Sequence, residues 1–315
     1  MARLAGGRFP PAAAVTRPGR GIGRERLLLL ALPTLWLVLL VAAPLVILLK
    51  IALSEAELGV PPYSALVQTA PDGSLALALT IDSFTRLAAD DIYRAGLWGS
   101  LRIAFLAALA AFLVAYPMAL AMARAPRRWR PLLLALAILP FWTSFLIRVY
   151  AWKVILQGGG VLNAALLELG LIAQPLALLH GEGAVVLGIA YAYLPFMLLP
   201  LYAVLEGRDP ALEEAAADLG CSPWQRWLRV TLPLSLPGVA AGWALVFIPA
   251  TGEFVVPDLL GGPDTLMLGR VLWQEFFQAA DWPMAAALSV ALLLLLLAPL
   301  ATLQWLRPRL RGGAE

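Results

Sequence analysis

The feature that most constrains the fold of this chain is a series of long apolar runs with few charges. The chain is 61% hydrophobic and only 14% charged, whereas a soluble globular chain carries about a quarter charged residues. A run of about 18 or more apolar residues can cross a bilayer as a helix. The sequence therefore predicts an all-α polytopic membrane protein with six transmembrane helices, at residues 27–53, 97–123, 131–156, 184–205, 236–259 and 284–306.

The distribution of basic residues predicts which side of the membrane each loop occupies. Arginine and lysine near span ends favour the cytoplasmic side. Six arginines precede the first predicted span, four follow the second, three lie between the fourth and fifth, and three follow the sixth. The opposite side carries many carboxylates, among them Asp72, Asp90, Asp91 and Asp264. Both termini are therefore predicted to be cytoplasmic.

These observations also predict the domain organisation. Residues 1–26 read as a disordered basic cytoplasmic arm, residues 27–306 as the six-span domain, and residues 307–315 as a cytoplasmic tail. The first apolar run is too long for the hydrophobic region of a signal peptide, so we interpret it as an uncleaved span. The single cysteine, Cys221, excludes an intrachain disulfide. The single histidine, His180, has no companion at metal-ligand spacing, so no metal site is predicted.

A polar loop, residues 206–233, interrupts the apolar pattern on the predicted cytoplasmic side. Asp209 and Pro210 are typical of a helix start, and Gly220 is suited to end that helix in a left-handed conformation. Ser222 followed by proline predicts a second short helix, which we expect to close at Pro233. We place Leu212, Ala216 and Leu219 on one face of the first helix, and charged residues that include Glu213 and Glu214 on the opposite face.

The spacing of residues in the polar loop resembles a known family motif. Glu214, Ala215, Ala216 and Gly220 are followed at fixed distances by Val230, Leu232 and Pro233. This pattern, EAA-x3-G-x9-[IV]-x-LP, resembles the loop by which ABC-importer permeases dock onto a cytoplasmic ATPase. The resemblance implies the type I ABC-importer permease fold and makes Glu214, Ala215, Ala216, Gly220 and Pro233 the expected ATPase-docking residues.

Two further segments resemble the polyamine branch of that family. Residues 130–152, RPLLLALAILPFWTSFLIRVYAW, are similar to the third span of polyamine permeases. Residues 251–283, TGEFVVPDLLGGPDTLMLGRVLWQEFFQAADWP, are similar to the putrescine permeases of the same branch. The resemblance covers about residues 27–305 and implies transport of putrescine or spermidine by alternating access across the bacterial inner membrane.

The resemblance also implies which partners supply the energy and the substrate. The chain has no phosphate-binding loop, so we expect it to be a transport subunit rather than an enzyme and to carry no cofactor. The implied partners are a second homologous permease, a dimer of ABC ATPase subunits that binds ATP and magnesium, an external substrate-binding protein and the lipid bilayer. No nucleic-acid partner is expected.

A polyamine carries positive charge at both ends, so a pathway through the membrane needs carboxylates and aromatic faces. We identify Glu253 in the predicted fifth span as the leading candidate, with Asp258 five residues later. Trp142, Tyr150 and Tyr193 are candidate aromatic surfaces. Aromatic residues near span ends are also typical interface anchors, and Glu253 has the alternative of pairing with Arg148.

Three residues are predicted at the external mouth of the sixth span: Glu275, Asp281 and Trp282. They are candidates either for binding the substrate-delivering protein or for contacting the solute. Three functions stay open from the sequence alone. They are a polyamine permease of an ABC importer, an ABC permease for an amino acid, another organic cation or a metal chelate, and a secondary transporter or membrane enzyme.

Overall fold

The computed structural model describes residues 24–69 and 74–311, with side chains over 29–68, at 74 and over 78–297. Regular structure there is helical except for a two-stranded antiparallel ribbon of β1 (Val67–Thr69) and β2 (Leu75–Leu77). The α-helices are α1 (Arg24–Ala52), α2 (Asp82–Ala89), α3 (Asp91–Arg124), α4 (Arg130–Ile138), α5 (Phe145–Leu156), α6 (Val161–Glu168), α7 (Glu182–Glu206), α8 (Ala211–Asp218), α9 (Pro223–Arg226), α10 (Leu232–Thr251), α11 (Val255–Leu260), α12 (Leu268–Phe277) and α13 (Trp282–Arg311).

Within the described residues, five helical stretches are long and apolar enough to cross a membrane. They are Leu29–Ala52, Asp91–Arg124, Phe145–Glu168, Glu182–Glu206 and Pro223–Thr251. The prediction of an all-helical polytopic membrane protein is therefore confirmed. Helix α13 is apolar over Trp282–Leu297 and continues as a helix to Arg311, through the start of the predicted tail. Most of the predicted arm, residues 1–23, lies outside the described residues.

The chain divides into two units, residues 1–47 and 48–315, and the hydrophobic core belongs to the second. The largest core cluster joins α3, α7 and α10. Helix α3 contributes mainly small residues, including Ala111, Ala115 and Ala119, which lie four residues apart on one face and are buried. Opposite them lie larger side chains such as Met197 and Leu201 of α7. Small residues allow the close backbone approach by which helices associate in lipid, where no hydrophobic force drives them together.

Helices α7 and α10 approach each other closely at two glycines of α10, Gly238 and Gly242. A Cβ atom on Gly238 would lie 2.9 Å from the carbonyl oxygen of Pro200, and one on Gly242 would lie 3.0 Å from that of Met197. This four-residue spacing of glycines is typical of tightly packed membrane helices. The packing fixes the relative position of the two helices that carry the functional side chains described below.

We expect Gly242→Ala to destabilise the protein, because the new methyl group overlaps the backbone and the sulfur of Met197. Overpacking of this kind costs about 1–3 kcal/mol. Gly183→Ala in α7 is the matched control, since no heavy atom lies within 4 Å of its Cβ position. Alanine favours a helix more than glycine does, and the gain is larger at Gly242, inside α10, than at Gly183, in the first turn of α7. A lower unfolding temperature in detergent for Gly242→Ala than for Gly183→Ala therefore reports the clash. Equal unfolding temperatures would show that the interface between α7 and α10 is loose.

The predicted third span, 131–156, is wrong as a single helix. Helix α4 passes into a 3₁₀ turn at Leu139–Trp142, and the chain is extended at Thr143 (φ −87°, ψ 151°) before α5 begins. Pro140 provides no amide donor for a continuous helix, and Thr143 closes the turn by donating its hydroxyl to the Pro140 carbonyl at 2.7 Å. The stretch long enough to span is consequently Phe145–Glu168.

The predicted fifth span, 236–259, is displaced in the structure. The helix begins earlier, because α9 continues through a π-helical segment (Trp227–Thr231) into α10. It also ends earlier, at Thr251, and the chain is unwound at Gly252–Phe254 before α11 begins. Pro249 removes one helical hydrogen bond and Gly252 is a weak helix former, which together explain the early end.

Candidate functional site

The polar loop forms two short helices with a sharp turn between them, as predicted. The Asp209 carboxylate accepts the Ala211 amide at 3.0 Å at the start of α8. Gly220 adopts φ +83° at the turn. Ser222 and Gln225 form a reciprocal capping box at the start of α9. The chemistry of the caps and of the glycine turn is local, which is why the sequence predicted these features correctly.

The apolar face predicted for α8 is not the buried one. Leu212 and Leu219, placed with Ala216 on one face, are 48% and 86% exposed, whereas Glu213, placed on the opposite face, is directed inward. Ala216 alone of the predicted apolar stripe is buried. Helix α8 has only eight residues, so its apolar periodicity is short. The contacts of Glu213 with its charged partners therefore decide which side of the helix is turned inward.

The carboxylate of Glu213 joins three parts of the chain. Its Oε1 atom accepts hydrogen bonds from Thr231 Oγ1 at 2.6 Å and from Arg208 Nη1 at 2.7 Å. Its Oε2 atom accepts one from Arg124 Nη2 at 3.3 Å. Thr231 is fully buried at the end of the π-helical segment, Arg208 precedes α8, and Arg124 is the last residue of α3. Sequence analysis missed this cluster because its members lie far apart in the sequence.

Electrostatics keep Glu213 ionised. Burial alone would raise the pKa of its carboxyl group, but the hydrogen bonds from Thr231 and Arg208 and the charges of Arg208 and Arg124 lower it below its ordinary value. A depressed carboxyl pKa adds stability at neutral pH that is lost only as the pH falls through the folded-state pKa. The cluster is therefore intact across the neutral range.

The predicted docking residues occupy different environments. Glu214 and Ala215 are exposed on α8, and Ala216 is buried beneath them. Gly220 forms the exposed turn. Pro233 does not close the second helix as predicted. It lies in the first turn of α10, and the π-helical segment before it accommodates a residue that cannot donate an amide hydrogen bond.

Glu253 lies in the unwound segment between α10 and α11 and is only 8% exposed. Its carboxylate accepts the hydroxyl of Tyr193 at 2.7 Å and the amide of Val255 at 3.0 Å. The start of α12 closes over the same segment, because a Cβ atom on Gly269 would lie 2.4 Å from the Gly252 carbonyl oxygen. Irregular backbone at membrane depth is tolerated where protein buries it or where it lines a water-filled cavity.

The structure brings Glu253 and Tyr193 of the predicted pathway into direct contact, but it does not pair the other candidates with them. Asp258 is half exposed and pairs with Arg270 at 3.5 Å. Trp142 and Tyr150 are 83% and 51% exposed at the surface of this chain.

Arg148 forms no ion pair with Glu253 among the described side chains. Its guanidinium lies 4.8 Å from the ring centroid of Phe141. The ring of Phe141 in turn packs edge-on against Phe196, at 5.1 Å between centroids, and Phe196 neighbours Tyr193. The alternative in which Arg148 neutralises Glu253 is therefore not the arrangement seen here.

The three residues predicted at the external mouth are engaged within the chain. Asp281 accepts Arg86 Nη1 at 3.1 Å and the Met284 amide at 2.9 Å, which caps the start of α13. Glu275 accepts the hydroxyl of Tyr93 at 2.9 Å. Trp282 stacks on Phe276 with ring centroids 4.9 Å apart. These contacts explain how the segment is held in place, and they leave a role in binding another protein as a prediction.

The sequence matches the family described as the binding-protein-dependent transport system inner membrane component, over residues 111–312. The match covers more than half of the chain. The chain belongs to this family. It is therefore a multi-pass inner-membrane protein and a transport subunit rather than an enzyme.

Two similar relatives are the spermidine/putrescine transport system permease proteins PotB of Haemophilus influenzae and Escherichia coli. The first is 44% identical over 227 residues, which cover 71% of this chain and 79% of that protein. The second is 44% identical over 216 residues, which cover 69% of this chain and 78% of that protein. The resemblance to polyamine permeases is thereby confirmed at the level of sequence.

A solved structure shares the fold. It is a bacterial alginate ABC transporter in complex with an alginate pentasaccharide-bound periplasmic protein. The TM-score is 0.67 at 19% sequence identity, and the match covers 92% of this chain and 96% of that chain. At this identity the similarity concerns the fold alone, and it covers nearly the whole chain.

Proposed function

We propose that this chain is the membrane-spanning permease subunit of an ATP-driven importer for polyamines, with putrescine or spermidine as its substrate. The observation that carries the proposal is the 44% identity to permeases named for spermidine and putrescine transport. The names of those relatives cover both polyamines, and the choice between them is decided by the uptake experiment below.

The buried carboxylate of Glu253 supports a cationic substrate. It lies in a break of a membrane helix beside the aromatic ring and hydroxyl of Tyr193. An ionisable residue inside the membrane is costly and typically marks the path of a substrate or ion. A carboxylate beside an aromatic ring offers an ammonium group both a counter-charge and a cation–π surface.

The polar loop supports a partner that hydrolyses ATP. Leu212 and Leu219 present apolar surface beside the exposed Glu214, although the loop lies between two membrane helices. Exposed apolar groups rimmed by polar ones are typical of a protein interface. We assign this surface to one subunit of a dimeric ABC ATPase, which binds the ATP and magnesium.

The remaining subunits and the topology follow from the same proposal. A second homologous permease completes the pathway, and an external binding protein delivers the substrate, as a periplasmic protein is bound to the alginate transporter. Helix α13 serves as the sixth span, since its 30 residues extend about 45 Å. Both termini and the polar loop, 206–233, then lie in the cytoplasm, where the arginines are concentrated.

The test is reconstitution of this chain into proteoliposomes with the second permease, the ATPase and the binding protein that the proposal requires. Labelled putrescine, spermidine, arginine and glucose are offered in turn, with and without ATP inside the vesicles. We expect ATP-dependent uptake of a polyamine and none of glucose. ATP-dependent uptake of arginine alone would assign the chain to another solute, and uptake driven by an ion gradient without the ATPase would contradict an ABC importer.

A further inference from the structure

We propose that Glu213 is a positioning residue of the polar loop. Its side chain holds the start of the loop against the end of the loop, so that a displacement of α8 moves α7 and α10 together. The inference rests on the proposed function, because it assigns a route for the energy that the ATPase supplies. It concerns a residue adjacent to the family motif, whose glutamate is Glu214.

The hydrogen bonds of Glu213 join both ends of the loop to its centre. Arg208 lies at the start of the loop, Glu213 in α8 and Thr231 at the end, 18 residues beyond Glu213. The side chains of Arg208 and Glu213 are 13% and 24% exposed, and Thr231 is fully buried. A hydrogen bond to a charged group is stronger than a neutral one, and partial burial protects it from screening by salt.

Arg124 contributes less to this connection. Its side chain is 56% exposed and its distance to Glu213 is 3.3 Å, longer than the two other contacts. Exposed ion pairs add little stability because water and salt screen them. The connection that matters therefore runs from the end of α7, through Arg208 and Glu213, to Thr231 at the entrance of α10.

The two helices joined in this way meet again at the substrate-pathway candidates. Helices α7 and α10 are packed closely at Gly238 and Gly242. Beyond those glycines, Tyr193 of α7 donates its hydroxyl to Glu253 just after α10 ends. A movement imposed on the base of the polar loop is thus carried by a closely packed pair of helices to the buried carboxylate.

Without the carboxylate of Glu213, the chain between Arg208 and α8 is free to bend independently of α10. The ATPase then displaces α8 alone and hydrolyses ATP without moving the membrane helices. The expected signature is loss of coupling, measured as more ATP hydrolysed per substrate imported, rather than loss of the complex.

The experiment compares Thr231→Val with Thr231→Ser in the complete reconstituted transporter. Valine has the shape of threonine but cannot donate to Glu213, whereas serine keeps the hydroxyl. We expect Thr231→Val to raise the ATP hydrolysed per putrescine imported by about tenfold, as for loss of a hydrogen bond to a charged group. Thr231→Ser stays within about twofold of the unaltered transporter, because the hydrogen bond is retained.

A double-substitution cycle tests whether the two side chains act through one contact. Glu213→Ala is used because glutamine would keep an oxygen that accepts from Thr231. Glu213→Ala lowers coupling on its own, and adding Thr231→Val to it lowers coupling no further, because partners in one interaction are not additive. Asp91→Asn, which removes an exposed charge at the start of α3, is the control and leaves coupling unchanged.

Two results overturn the inference. One is coupling within twofold of the unaltered transporter for both Thr231→Val and Glu213→Ala. The other is equal loss of coupling for Thr231→Val and Thr231→Ser, which points to packing rather than to the hydroxyl. Failure of the unaltered complex to import putrescine or spermidine with ATP refutes the proposed function instead, so the two failures are distinguishable.

Discussion

Replacing Gly220 by proline is expected to abolish ATP-driven uptake while leaving the protein in the membrane. Gly220 adopts φ +83°, and its amide donates to the Ala217 carbonyl at 2.9 Å. Proline fixes φ near about −65° and has no amide hydrogen. It also disfavours the helical conformation of the preceding Leu219. The turn between α8 and α9 cannot form, and the surface assigned to the ATPase is lost.

The position of the turn explains why Gly220→Pro should abolish uptake without preventing membrane insertion. None of the five spanning stretches found in the described residues contains Gly220, so membrane insertion is unaffected. We expect uptake to fall below detection, and the ATPase to be lost when the chain is purified through an affinity tag. The measurements are uptake of labelled polyamine and the ratio of ATPase to permease in the purified complex.

Two further substitutions at the same position separate backbone conformation from contact. No heavy atom lies within 4 Å of a Cβ atom at Gly220, so a small side chain meets no steric obstacle there. Asparagine tolerates the left-handed conformation and is expected to keep most of the activity. Alanine pays about 1–2 kcal/mol of backbone strain and is expected to fall between asparagine and proline. Normal uptake in the proline variant would remove the polar loop from the mechanism.

The sequence predicted local features of this protein well and long-range features poorly. The caps at Asp209 and Ser222 and the turn at Gly220 depend on neighbouring residues, and all three were predicted correctly. The inward direction of Glu213 depends on Arg208, Arg124 and Thr231, which only the folded chain brings together. No periodicity of α8 itself carries that information.

The predicted spans show the same contrast between features that neighbouring residues determine and features that long-range contacts determine. Hydropathy located the apolar helical regions, although the stretch long enough to span in the third region is Phe145–Glu168 rather than 131–156. Hydropathy averages over a window and does not register a break of two or three residues. The helix interruptions at Thr143 and at Gly252–Phe254 therefore escaped prediction. Pro140 and Pro249 lie just before the two interruptions and are residues that can break a helix. Membrane helices nevertheless tolerate proline when neighbours satisfy the freed carbonyls. Whether a proline breaks a helix is decided by tertiary contacts.

Replacement of Glu253 by glutamine is expected to impair transport of a divalent polyamine without impairing assembly. Glutamine has nearly the same shape and keeps both hydrogen bonds, since its oxygen accepts the Val255 amide and its nitrogen donates to the Tyr193 hydroxyl oxygen. The substitution therefore removes the negative charge and little else. An interaction with a charged group contributes about 1.5–3 kcal/mol, so we expect transport efficiency to fall by about ten- to a hundredfold.

The matched variants distinguish a counter-charge from a helix cap. Tyr193→Phe removes the hydroxyl but leaves the carboxylate and the aromatic ring, so uptake should fall less than in Glu253→Gln. Glu168→Gln, which neutralises an exposed carboxylate at the end of α6, should leave uptake unchanged. The measurement is the concentration dependence of putrescine uptake at constant amounts of assembled complex. If Glu253 only caps α11, glutamine sustains full uptake, because an amide oxygen accepts the Val255 amide as a carboxylate does, and Glu253 then has no part in the pathway.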